Sequence, residues 1–314
     1  MKLQTEIKLK KQEENPLDYN SKVLLLGSCF SENIGNKFEY FKFKSLSNPF
    51  GILFHSKAIE NLVVRAIQKK EYTEEDVFFY NEQWHCFDAH SQLSSFSKEN
   101  ILKDLNAQIQ ITHQQITEST HIIITLGTAW VYNLLENDKV VANCHKLPQK
   151  KFNKILLSIE EIKKSLQSII KTIQSVNQKV SVIFTVSPVR HIKDGFVENT
   201  LSKSHLIAAI HRVTDKHVFY FPSYEIMLDE LRDYRFYKHD MIHPNKTAIN
   251  YIWERFNNVW VSESTQQTML KVDGIQKALM HKPFNPNSKA HQQFLKDLNL
   301  KIIKLSSIFK HITF

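Results

Sequence analysis

Four short apolar runs constrain the fold most. Val23-Leu24-Leu25-Leu26, Ile122-Ile123-Ile124-Thr125-Leu126, Ser181-Val182-Ile183-Phe184-Thr185-Val186 and Val218-Phe219-Tyr220-Phe221 lack strict alternation of apolar and polar residues. Strands covered on both faces have this pattern, and parallel sheets are built from them. Stretches of helical period lie between and around the runs. Over residues 158–173 the apolar side chains fall at Ile159, Ile162, Leu166, Ile169, Ile170 and Ile173, one stripe spaced three or four apart. Residues 56–69, 101–117, 199–215 and 246–256 follow the same rule. Strands alternating with helices predict an α/β fold, a parallel sheet with helices on both faces. After Val259 strand-like runs stop, and helices are expected over 272–280 and 288–309, separated at Pro283 and Pro286. The expected division is a body over residues 1–258 and a helical C-terminal extension over 259–314 packed on it.

With 42% apolar and 23% charged residues among 314, the chain can bury a sizeable core, which excludes a wholly disordered or collagen-like chain. No stretch approaches the ~18 uninterrupted apolar residues of a membrane-spanning helix. The opening MKLQTEIKLKKQEENP has no apolar core of signal-peptide length. Three cysteines, Cys29, Cys86 and Cys144, are an odd number and too few to staple the chain, so a reducing cytoplasm is expected. The net charge of +9 is spread out, and its two basic regions, residues 2–11 and 282–310, lack the aromatic interleaving of a nucleic-acid stripe. Solvated helix faces are the expected reading, with no nucleic-acid or membrane partner.

Glycine is scarce: average usage would give roughly 22, and there are six. Gly27 and Gly127 end or follow apolar runs, where a backbone needs positive φ or close approach. Ligands of an open parallel sheet bind beyond the carboxyl ends of its strands. After the first strand comes Gly27-Ser28-Cys29-Phe30-Ser31, leading into a helix expected from about residue 31 to 41. A serine on such a turn presents its hydroxyl above the sheet, beside N–H groups that can hold an oxyanion; alternatively Ser28 or Ser31 only caps the helix. Further on, Asp240 precedes His243 by three residues, just ahead of a helix. In a tight loop Asp240 can accept the Nδ1 proton of His243 and leave Nε2 free to take a proton from a serine. Asp-x-x-His alone also fits a surface turn; with the Gly-Ser turn it supplies nucleophile, base and orienting acid.

These residues resemble the signature of the GSCFA-domain proteins, bacterial members of the SGNH (GDSL-like) hydrolase group. The resemblance runs over most of the chain, through Asn48-Pro49-Phe50-Gly51, Leu126-Gly127-Thr128-Ala129-Trp130, Asn143-Cys144-His145-Lys146, Ser187-Pro188-Val189-Arg190, Asp240-Met241-Ile242-His243-Pro244 and His281-Lys282-Pro283-Phe284. It implies a flavodoxin-like three-layer α/β/α sandwich, Ser28 as nucleophile, Gly51 as a backbone oxyanion donor, and Asp240 with His243 completing the triad. The chain departs from the pattern at Ala129, where SGNH enzymes carry an asparagine that donates to the oxyanion. Loss of one such donor typically costs about 10²–10³ in rate. Thr128 and Asn143 are the candidates to stand in for it.

Other residues carry two readings each. Cys29 adjoins Ser28, and a Cys–His pair is a catalytic alternative, but adjacent side chains leave a turn in different directions, and buried packing is expected. His85, His90 and His145 lack the spacing of a metal site on one helix face, so no metal or other cofactor is expected. Residues 84–91 and 143–146, His145 among them, touch substrate or make structural hydrogen bonds, and Arg190 binds a substrate anion or supports its loop. The expected function is an ester hydrolase or acyltransferase acting through an acyl-Ser28 intermediate on an O-acyl group, a small-molecule or carbohydrate ester. The alternatives are a non-catalytic ligand-binding protein that keeps the pocket, and a nucleic-acid-associated protein using the basic tail.

Overall fold

The computed structural model describes residues 4–314; Lys2, in the N-terminal basic region, lies outside them. A five-stranded sheet forms from β1 (Lys22–Gly27), β2 (Lys44–Ser47), β5 (His121–Leu126), β9 (Ser181–Val186) and β10 (Val218–Phe221), in the order β10-β9-β5-β1-β2. All its pairings are parallel. This is the flavodoxin-like order, whose direction reverses between β1 and β5 and opens a crevice at their carboxyl ends. Successive residues of a strand face opposite sides, and here both sides are apolar. Leu24, Leu26, Ile122, Ile124, Val182 and Phe184 enter one core with α2 (Ser56–Ile67), α3 (Lys98–Glu118), α4 (Ile159–Val176) and α5 (Phe196–His211). Val23, Leu25, Ile123, Ile183 and Phe221 enter the other with α1 (Cys29–Tyr40), α7 (Lys246–Trp260), α8 (Glu263–Leu279) and α9 (Lys289–Ile308). Between β10 and α7 a short α6 (Ser223–Glu225) runs on as a π-helical turn over Ile226–Leu231.

Several segments depart from the sequence expectations. The helix α1 starts at Cys29 instead of 31, and α5 runs from 196 to 211 instead of 199 to 215. The helix expected over 272–280 begins nine residues earlier, at Glu263, because the first half of α8 is polar and buries little beyond Thr265 and Met269. Short strands between the main elements were not expected at all. A hairpin joins β3 (Val77–Tyr80) to β4 (Gln83–Cys86) through Asn81 and Glu82, both at positive φ, as its tight turn demands. A three-stranded antiparallel sheet forms from β6 (Trp130–Leu134), β7 (Lys139–Val141) and β8 (Phe152–Leu156).

The C-terminal helices are continuous with the body. Met269, Val272, Ile275, Leu298, Leu305 and Ile312 are buried in the same cluster as Phe38 and Trp253. Leu17 bridges Val261 in parallel, and Tyr19 lies 4.9 Å from Phe309, centroid to centroid. Among the described residues no helix is long and apolar enough to cross a membrane.

Candidate active site

The first strand ends in a turn that only glycine fits. Gly27 has φ +133°, and a Cβ there would sit 2.1 Å from the Thr125 carbonyl oxygen. Its N–H donates to Asn48 Oδ1 at 2.9 Å and its carbonyl accepts from Leu53 N–H at 2.9 Å, so the 48–53 loop folds over the strand end. Ser28 follows, 0% exposed. Its N–H donates to Thr125 O at 3.1 Å, and its Oγ caps α1 by accepting the Phe30 N–H at 3.3 Å. Cys29 is the first residue of the helix and keeps partial exposure. Ser28 thus takes the capping role that the sequence held open beside the nucleophile, and Cys29 packs, partly buried, against the core cluster of α1. The cause is the earlier helix start: Ser28 becomes the N-cap, folded back on the first turn, and Cys29 takes the position beyond it.

The second half of the site is the 238–245 loop. Asp240 Oδ2 lies 2.7 Å from His243 Nδ1, while Oδ1 accepts the N–H groups of Ile242 and His243, each at 2.9 Å. These bonds to the charged form hold the Asp240 carboxyl well below the usual range. The His243 side chain is 39% exposed, and the Asp240 contact occupies Nδ1, the nitrogen opposite Nε2. Lys238 N–H donates to the His243 carbonyl at 2.7 Å, closing the loop, and Asn245 caps α7. Arg190 braces the same loop: its N–H donates to Ile242 O, its guanidinium reaches Met241 O at 3.4 Å, and it stacks 4.1 Å over the Tyr237 ring. Of the two readings of Arg190, these contacts are those of loop support.

The remaining candidates spend their polar atoms locally. Gly51 has φ +70° and donates its N–H to Asn48 O at 2.7 Å, so that N–H is engaged in its own turn. Thr128 Oγ1 lies 3.1 Å from Ser202 Oγ and accepts the Trp130 N–H. Ala129 is fully buried in the core, its N–H donating to Ser202 Oγ at 2.7 Å. Asn143 donates its N–H to Phe87 O and accepts the His145 N–H on Oδ1. His145 is buried, with Nε2 2.7 Å from Cys86 O, and burial lowers its pKa to about 4. The His85 ring lies tilted against that of His145, centroids 4.7 Å apart, but among the described residues no three His, Cys, Asp or Glu side chains are grouped to hold a metal ion.

Two further residues at the strand ends were not singled out by the sequence. Lys203 of α5 is 1% exposed and donates to the carbonyls of Gly127 and Ser187, both at 2.7 Å, tying together the ends of β5 and β9. Burial lowers its pKa to about 7. Its signal was its position in the apolar stripe with Leu206, Ala209 and Ile210, where a lysine does not belong. Asn48, 9% exposed, holds Gly27 through Oδ1, and its Nδ2 is buried without a partner.

Sheet order and loop geometry define a flavodoxin-like α/β protein that carries an Asp–His pair and a strand-to-helix turn at the carboxyl ends of its strands. The model of the GSCFA family matches residues 22–256, and that of the GSCFA domain protein, C-terminal domain, matches residues 272–314. The chain belongs to the GSCFA family. Solved structures similar to it include a carbohydrate esterase family 3 protein from Talaromyces cellulolyticus, at 10% identity and TM-score 0.38, covering 81% of this chain and 99% of that one. An acetyl xylan esterase from the rumen bacterium Butyrivibrio proteoclasticus is similar at 11% identity and TM-score 0.41, covering 85% of this chain and 66% of that one. No curated protein matches the sequence.

Proposed function

We propose that this protein is an ester hydrolase or acyltransferase of the SGNH type, acting on an O-acyl group carried by a carbohydrate or small molecule. The observation that carries the reading is the Asp240–His243 pair. A carboxylate fixed by two backbone N–H groups holds the imidazole by Nδ1 at 2.7 Å, in a partly exposed loop. That arrangement fixes the tautomer with Nε2 as the proton acceptor and stabilises the imidazolium that forms. The nucleophile belongs to the turn at Ser28 and Cys29, at the end of the strand where such a sheet binds its ligand. The reaction forms an acyl-enzyme, which water or an acceptor hydroxyl resolves. Turnover of p-nitrophenyl acetate and of an acetylated oligosaccharide tests this reading. A loss of 10³-fold or more is expected for His243→Ala, in keeping with removal of a triad base.

A second reading is a ligand-binding protein that keeps the pocket without the chemistry. It is favoured by the N–H groups of Ser28 and Gly51, both engaged within the protein. Binding of the acetylated oligosaccharide without turnover by the wild-type protein would select it.

A further inference from the structure

A groove between α1, α7 and α8, with a volume of about 800 Å³, borders both halves of the candidate site. Asn33 of α1 lines it, one turn beyond the Ser28 cap, with its Nδ2 donating to the Cys29 carbonyl at 3.0 Å. Lys238 and Pro244 line it too, and these residues flank His243 in the loop that carries the Asp–His pair. At the other end of α1 the wall is Tyr40 and Phe41, with Trp253 of α7 beside them. Asn33 and Tyr40 are seven residues apart on one helix, so the groove runs ~10 Å along it. That is room for more than one sugar ring.

The charge of the groove is one-sided. Lys37, Lys238, Lys246 and Lys277 line it against a single carboxylate, Asp273. That carboxylate is spent, since Oδ1 accepts from the Tyr40 hydroxyl at 2.9 Å and Oδ2 pairs with Lys277 at 2.6 Å. Among the described residues the other three ammonium groups have no carboxylate partner, and Lys37 donates to the neutral Asn250 Oδ1 at 2.5 Å. Burial lowers the Lys37 pKa and Lys246 adds to the effect, against Asp273. A cleft lined by uncompensated charge of one sign draws a ligand of the other. The exposed amides of Asn36 and Asn250 also line it, and amides both donate to and accept from hydroxyls. Trp253 is only 4% exposed and packs on Phe41, so it is part of the wall and not the open stacking face that single-stranded nucleic acid needs.

We propose that this groove binds anionic groups, carboxylate or phosphate, on the glycan that carries the acyl group, so that the substrate is an acidic acyl-oligosaccharide and not a neutral one. The proposal rests on the ester-hydrolase reading above and names its substrate class. Lys238 and Lys246 lie five residues before and three after His243. An anion held by them leaves the adjoining sugar of the chain beside the loop of the imidazole. Lys37 takes a second anion farther along α1, and the amides take the hydroxyls between.

The experiment titrates the full chain by calorimetry with unacylated tetragalacturonate, maltotetraose 6-phosphate, neutral xylotetraose and a tetranucleotide. At least one acidic oligosaccharide should bind about tenfold or more tighter than xylotetraose and the nucleotide, with affinity falling as salt rises; which of the two binds tighter tells carboxylate from phosphate. The preference should be lost in Lys37→Met/Lys246→Gln. It should be kept in Lys103→Gln/Lys171→Gln, which removes the same charge from α3 and α4 across the sheet. Should the first variant fail to fold, Lys238→Gln/Lys246→Gln, at two exposed positions, takes its place. Equal binding of acidic and neutral tetramers, tighter binding of the nucleotide, or equal loss in both double variants overturns the groove assignment. Turnover is read separately, with p-nitrophenyl acetate and with acetylated tetragalacturonate and xylotetraose. Preferred binding of an acidic oligosaccharide without turnover of any ester overturns the hydrolase reading and leaves the groove as a ligand site. Turnover with no preference for the acidic ester overturns the substrate class and leaves the hydrolase reading standing.

Discussion

At the scale of single residues, Lys203 shows how a site can be built on an unfavourable placement. An ammonium removed from water without a carboxylate loses more than two carbonyl hydrogen bonds return, and its lowered pKa of about 7 reflects that burial. Replacing it with methionine removes the burial penalty but leaves the Gly127 and Ser187 carbonyls without donors, so stability should change by less than about 2 kcal/mol. The larger effect is expected on chemistry: iodoacetamide should alkylate Cys29 roughly three- to tenfold more slowly at pH 7 in Lys203→Met, because the thiol titrates higher without the nearby charge. Gly27 is the opposite case, a residue chosen for what it lacks. Gly27→Ala places a methyl 2.1 Å from the Thr125 oxygen at φ +133°. It should destabilise the fold by about 3 kcal/mol or more in urea unfolding, since backbone strain and overpacking act together. Asp240→Asn leaves the loop's shape but offers His243 the wrong partner, and kcat should fall about 10²–10⁴-fold with little change in melting temperature.

At the scale of elements, the four apolar runs correspond to β1, β5, β9 and β10 because strands buried on both faces carry their environment in their own composition. The edge strand β2 does not. Its Lys44-Ser45-Leu46-Ser47 is polar and half-exposed, and its strand character comes from pairing with β1. The short strands of the β3–β4 hairpin and of the β6 to β8 sheet are of mixed burial and lack the continuous apolar run that marks the main strands. The same contrast separates the parts of the site. The Asp240–His243 contact spans three residues, so spacing revealed it. Whether Ser28 caps α1 depends on where the helix begins, and a start two residues earlier than the pattern suggests is what makes it the N-cap. The helix α4 offers a local test of such boundary chemistry. Ser158 and Glu161 form a reciprocal capping box at its start, and Ser158→Ala should cost about 1 kcal/mol, read as a shift in the urea midpoint at unchanged m-value.

At the scale of the molecule, stability should depend on acid through histidines buried without charge. Burial holds His55, His121 and His145 neutral in the fold down to pKa values of about 4, and His191 to about 3. In the unfolded chain such rings take a proton near pH ~6.5. Between those values the unfolded state binds more protons, so stability rises with pH across the window and is lost as pH falls from ~6.5 toward 4. Each ring contributes on the order of a few kcal/mol, His191 the most. Urea unfolding at several pH values should show the slope, and His121→Gln should remove about a quarter of it.

The contact between the two ends of the chain has a consequence for how the protein is made. Tyr19 stacks on Phe43 and meets Phe309, and the cluster beneath α1 also takes in Leu298, Leu305 and Ile312. At ~5–20 residues per second, about 15–60 s separate the synthesis of residue 19 from that of residue 312. Once β10 has been made the core facing α2 to α5 can close, while the opposite core stays open along the side that α9 will cover. A nascent chain of this protein is therefore a half-finished sandwich with one greasy face, and its yield in a cell should rise with the supply of chaperones that shield such faces until translation ends.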